Sequence, residues 1–141
     1  MAGSAAPGCV LDSFALLAYL EGKRGMSRVR AALLEAEAGA RAVYLSLINL
    51  GEVLYVTERE RGEVEARRVL ALVDQLPVEV VPVSRATVLA AAHVKARFTV
   101  SYADAFAVVT AQDHEAVLLT GDPEFRPVAA AGIVQVEWLP R

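Results

Sequence analysis

Short apolar runs separated by longer stretches at helical spacing recur along the whole chain, and this alternation limits the fold more than any other feature. Each run is too short for a helix, and each intervening stretch is long enough to carry the chain back across a sheet. The pattern predicts strands at Gly8–Asp12, Arg41–Ser46, Val78–Val83, Ala116–Thr120 and Gly132–Leu139. It predicts helices over Ser13–Glu21, Met26–Ala38, Leu47–Arg61, Glu63–Leu76, Ser84–Arg97 and Ser101–Gln112. Gly62 separates two of these helices, and Pro77 stops the second of them. The order β-α-α-β-α-α-β-α-α-β-β describes an α/β fold with a central, mostly parallel sheet flanked by helices.

A chain of 141 residues fits one hydrophobic core, so residues 9–141 are read as a single domain. Met1–Gly8 reads as a small-residue, mobile tail. The hydrophobic fraction of 55% is high for this length, which points either to nearly all-round burial of some segments or to an apolar surface shared with a second copy or another partner. Membrane insertion is excluded as the explanation: the longest uncharged run, Met1–Leu11, falls short of the roughly 18 residues a span requires. The start lacks the positive charge and apolar core of a secretory signal, so the cytoplasm is the expected location. A single cysteine, Cys9, precludes an internal disulfide and reads as a buried strand residue. His93 and His114 read as ordinary helix residues.

In open α/β sheets, ligands bind beyond the carboxyl ends of the strands, so acids at strand-to-helix junctions carry the most functional weight. Asp12 ends the run Cys9-Val10-Leu11, and Asp122 follows Val117-Leu118-Leu119-Thr120 through Gly121. Either could equally be a helix cap, and Pro123 is a natural first residue after such a cap. Asp104 stands in Ser101-Tyr102-Ala103-Asp104, which matches a capping box. It also opens a stretch, Ala105-Phe106-Ala107-Val108-Val109, that is apolar all round and must be buried. Glu52 lies on the same helix face as Asn49, away from the Leu50–Leu54 stripe, where a solvated surface glutamate is the plain alternative.

If the four side chains converge, their mutual repulsion raises pKa values and destabilises the fold unless a cation compensates. Oxygen-only ligands suit hard ions such as Mg²⁺ or Mn²⁺. Such an ion directs the chemistry to phosphodiesters, by polarising an oxygen and activating a water.

The stretches Val10-Leu11-Asp12-Ser13, Ser46-Leu47-Ile48-Asn49-Leu50-Gly51-Glu52-Val53, Ser101-Tyr102-Ala103-Asp104-Ala105 and Leu119-Thr120-Gly121-Asp122-Pro123-Glu124-Phe125 together resemble the PIN-domain family, and within it the VapC-like toxin ribonucleases. The resemblance spans almost the whole chain. It implies that Asp12, Glu52, Asp104 and Asp122 are the catalytic and metal-binding acids, with Ser13, Asn49 and Thr120 as supporting polar groups. It further implies an Mg²⁺- or Mn²⁺-dependent endoribonuclease acting on tRNA or rRNA, a homodimer, and a small antitoxin whose C-terminal segment blocks the site.

A net charge of −3 is unusual for an enzyme acting on nucleic acid, whose phosphates are normally met by Lys and Arg. The four proposed ligands carry −4, which leaves the remainder of the chain at +1. Lys23, Arg24, Arg28, Arg30, Lys95 and Arg97 are candidates to hold an RNA backbone, or are solvated helix faces. The aromatic residues show no interleaving with basic ones, so no base-stacking platform is legible. A phosphatase or receiver domain is the rival enzyme class, but no second aspartate lies two residues after Asp12 and Ala116–Pro127 contains no lysine. A PIN-like fold that binds without cutting is the other alternative.

Overall fold

The computed structural model describes residues 6–141. Of the expected tail, residues 1–5 lie outside the described residues. Among the described residues the strands are β1 (Cys9–Leu11), β2 (Val43–Ser46), β3 (Glu79–Val81), β4 (Val117–Thr120) and β5 (Val136–Trp138). All pair in parallel, in the spatial order β3-β2-β1-β4-β5. The helices are α1 (Ser13–Leu20), α2 (Met26–Glu37), α3 (Leu47–Arg61), α4 (Glu63–Gln75), α5 (Arg85–Arg97), α6 (Tyr102–Asp113) and α7 (Arg126–Ala130).

Successive strand residues face opposite sides of the sheet, and both sides are covered. Cys9, Leu11, Val43, Leu45 and Leu119 pack into one cluster with Leu16, Val29, Leu33, Val53 and Val73 from α1 to α4. Val10 and Leu118 point the other way, into a second cluster with Ala91, Val94, Val128 and the apolar residues of α6. Ala105 through Ala111 are all buried, as an all-round apolar helix requires. Cys9 is buried, and burial pushes its thiol up to about 11.

The strand order places a topological switch between β1 and β4. From β1 the chain winds to β2 and β3 on one side, and from β4 it winds to β5 on the other. The crevice at such a switch lies beyond the carboxyl ends of these two strands, where Asp12 and Asp122 follow them. Among the described residues no helix is long and apolar enough to cross a membrane.

One part of the expected order needs correction. Between β4 and β5 the chain forms a short 3₁₀ turn, Pro123–Phe125, and then α7. These segments are too short to show a helical period, and Pro123 and Pro127 mark starts rather than breaks because each stands where no amide donor is needed. The outer strands are also shorter than their apolar runs, β5 being three residues of the expected Gly132–Leu139.

Candidate active site

Each acid is delivered by a junction whose local chemistry explains its position. Asp12 is the N-cap of α1, its Oδ1 accepting from the Ala15 amide at 2.8 Å. Its other oxygen, Oδ2, accepts from the Thr120 hydroxyl at 2.5 Å. Thr120 in turn accepts from the Asp122 amide at 3.0 Å, so one buried hydroxyl ties the end of β4 to the end of β1 and to the turn beyond it. Asp122 caps the 3₁₀ turn through Oδ1, which accepts from the Glu124 amide at 2.9 Å. Capping and convergence are therefore compatible, because a cap occupies one oxygen of two.

Gly121 makes this turn possible. A Cβ on it would lie 2.4 Å from Phe14 Cε1 and 3.2 Å from the Leu139 carbonyl oxygen. A side chain there would push the Phe14 ring aside and crowd the Leu139 carbonyl, so glycine lets the chain pass between α1 and the end of β5 without displacing either.

Ser101 caps α6 by accepting from the Asp104 amide at 3.1 Å. The Asp104 carboxylate does not complete a capping box, and it is buried at the crevice. One oxygen each from Asp104, Asp122 and Glu124 lie within 4.8 Å of one another. Burial pushes the Asp104 carboxyl up to about 8, the adjoining Glu124 carboxyl adds to the rise, Ser101 opposes it, and the charges of Asp12 and Asp122 add further. Burial likewise pushes Asp12 up to about 7, opposed by its bonds from Thr120 and Ala15 and augmented by Asp122 and Glu52.

Glu52 is half-buried on α3 and accepts a hydrogen bond from the Ser13 hydroxyl. Asn49, fully buried one turn earlier, donates through Nδ2 to the Ala103 carbonyl at 3.2 Å and to Ser13 Oγ at 3.4 Å. Asn49 thus joins the start of α6, where Asp104 sits, to the start of α1. Its Oδ1 is buried and meets no hydrogen-bond donor among the described residues.

The four acids expected from the sequence all border the crevice, but they are not equivalent. Asp104 and Asp122 belong to the tight triplet, while Asp12 and Glu52 stand around it and are engaged by hydroxyls. The triplet's third member, Glu124, is a residue the sequence reading placed in a matching stretch without giving it a role. The signal that could have found it is the Asp-Pro-Glu spacing: a tight turn capped by Asp122 returns a side chain two positions later to the same side. Of the basic candidates, Arg28 is committed elsewhere, its Nε 2.5 Å from Glu137 Oε2 and its Nη2 3.1 Å from Oε1. Lys23 pairs with Glu21 at 3.1 Å.

A parallel α/β sheet with carboxylates gathered at its switch point defines the class, and the chain belongs to the PIN domain family, which matches over residues 9–131. No protein among curated relatives matches the sequence. Among solved structures, the chain is similar to the DNA-bound VapBC of Salmonella typhimurium (TM-score 0.73, 18% identity, 94% of this chain and 98% of that one). It is similar to VapBC2 of Rickettsia felis bound to a promoter DNA fragment (TM-score 0.72, 14% identity, 94% and 98% covered). It is also similar to VapC20 of Mycobacterium tuberculosis, a toxin that cleaves the sarcin-ricin loop (TM-score 0.71, 20% identity, 94% and 100% covered). At these identities the likeness is one of fold.

Proposed function

We propose that this chain is a divalent-metal-dependent endoribonuclease and the toxin of a toxin-antitoxin pair. The observation that carries the reading is the triplet of carboxylate oxygens from Asp104, Asp122 and Glu124 within 4.8 Å, set at the switch point of the sheet. The residues fit a hard cation: every donor is oxygen, and two of the acids, Asp104 in the triplet and Asp12 beside it, have pKa values raised by burial with uncompensated like charge beside them. Asp104, Asp122 and Glu124 would hold Mg²⁺ or Mn²⁺, with Asp12 and Glu52 supporting the site from behind. When bound, the ion supplies Lewis acidity to a phosphodiester oxygen and lowers the pKa of a water.

The chain's own contribution is to fix the acids before substrate arrives. Thr120 holds Asp12 and the Asp122 backbone together, Ser13 holds Glu52, and Asn49 anchors the first turn of α6. Preorganised ligands of this kind spare the reorganisation that otherwise accompanies transition-state charge.

Partner binding is supported by apolar surface away from the acids. Leu34, Leu47 and Tyr55 are exposed. A cavity of about 660 Å³ is lined by Phe14, Leu17, Ala18 and Val56 with Glu21, Lys23 and Glu60 among its charged residues. Its apolar floor with a charged rim suits a partner segment that is apolar with charged flanks. A small antitoxin and a second copy of this chain are the proposed occupants of these surfaces, in line with the VapBC complexes that share the fold.

The test is incubation of purified protein with mixed tRNA and rRNA in Mg²⁺ or Mn²⁺, with a chelator control and analysis of product ends. Metal-dependent cuts leaving 5′-phosphate and 3′-hydroxyl ends support attack by water. Cyclic 2′,3′-phosphate ends, or cutting that survives chelation, contradict it.

A further inference from the structure

The one tryptophan of the chain, Trp138, is 45% exposed at the end of the edge strand β5. It is the register partner of Thr120, the residue bonded to Asp12, so the two side chains leave the same face of the sheet. Its neighbour Glu137 points to the opposite face and is held by Arg28 at 2.5 and 3.1 Å, which ties the edge strand to α2. Trp138 lines a cavity of about 280 Å³ together with Gly121, Pro123, Arg126, Leu139 and Arg141. Gly121 and Pro123, the two chain neighbours of Asp122, place the cavity at the turn that carries this acid, although the Asp122 side chain does not line it. Arg126 is exposed and forms no ion pair among the described residues.

We propose that this cavity is a nucleotide subsite, in which Trp138 stacks a base of single-stranded RNA and Arg126 meets the adjoining phosphate. The inference rests on the nuclease reading and deepens it by naming the form of RNA and two residues that bind it. An exposed indole and a free guanidinium are the pair by which proteins hold unpaired bases, one through the π-face and the other through charge. The volume is near the small end for ligand cavities, which start at about 300 Å³, a size for one planar ring rather than a duplex. A basic residue here also answers the charge problem. The acids gather at the reacting phosphate, while the positive charge that holds the strand sits one step along it.

Trp138 is its own probe. With chelator present to prevent cutting, a short single-stranded oligoadenylate is titrated into the protein and indole fluorescence is followed. Saturable quenching is expected, weakened roughly ten-fold by Arg126→Ala and by raised salt. With an end-labelled strand, anisotropy is expected to show about ten-fold weaker binding for Trp138→Ala and a smaller loss for Trp138→Phe. Circular dichroism confirms that each variant is folded. Binding that leaves the fluorescence unchanged, equal affinity in wild type and Trp138→Ala, or the absence of saturable binding overturns the subsite. Metal-dependent cleavage alongside a silent Trp138 removes only this inference. Quenching without any cleavage removes only the nuclease reading.

Discussion

The Thr120 hydroxyl donates to Asp12 Oδ2 at 2.5 Å and accepts from the Asp122 amide at 3.0 Å, so a single side chain couples two acids that are distant in sequence. Replacing it with valine keeps the shape and strands both partners. Thr120→Val is expected to lose about 1–3 kcal/mol, the cost of leaving a buried polar group unmet, and to slow RNA cleavage. Thermal unfolding beside a rate measurement checks this; an unchanged melting temperature would show that the bond contributes nothing net.

The raised acids make stability depend on pH in a definite direction. Asp12 and Asp104 titrate near 7 and 8 in the folded chain against 3.8 for the ordinary carboxyl. Between those values the folded state keeps protons that the unfolded state has released. In chelator, stability as far as these groups are concerned is therefore greatest below about pH 4, and it falls as pH rises through 7 and 8. Mg²⁺ is expected to recover the loss at pH 8 and to matter little at pH 5. Urea midpoints at the two pH values, with and without Mg²⁺, measure both effects.

Glu124→Gln separates stability from activity. It removes a charge beside Asp104 without changing size, so the metal-free protein is expected to be at least as stable as wild type. Mn²⁺ affinity and cleavage rate should both fall. Calorimetric titration with Mn²⁺ decides the matter, since undiminished affinity would exclude Glu124 from the site.

Gly121→Ala is an overpacking test of the turn that delivers Asp122. The added methyl meets Phe14 at 2.4 Å, and such insertions cost about 1–3 kcal/mol. Phe14→Leu in the same chain is expected to relieve part of that cost, so the double variant should be more stable than the sum of the two single changes. Strict additivity in a double-mutant cycle would mean that Phe14 is not the obstacle.

Much of this architecture was legible in the sequence because it rests on local signals. The strands β1, β2 and β4 are short, largely apolar runs, as strands covered on both faces tend to be, and α6 announces its burial by being apolar all round. Asp12 and Asp122 could be placed because strand ends are visible as the points where such runs stop. The turn Pro123–Phe125 and α7 were not legible, being too short for a helical repeat to show. Glu124 was missed for the same reason, since its return towards Asp104 depends on that turn. The neighbourhood of Trp138 and Arg126 was invisible because it exists only through the pairing of β5 with β4. Sequence interleaving of basic and aromatic residues is one way to build such a pair, and a sheet edge is another.

The central claim is that the carboxylate cluster cuts RNA, and the rate of RNA cleavage by Asp104→Asn beside wild type in Mn²⁺ tests it most directly. Asparagine removes the charge and keeps the volume, and circular dichroism shows whether the fold survives. Cleavage by wild type that chelator abolishes is expected, with a loss of at least about a hundred-fold in the variant, the scale of removing one electrostatic element from a preorganised site. A folded Asp104→Asn protein that cuts as fast as wild type would contradict that claim and leave Asp104 a buried acid at the head of α6.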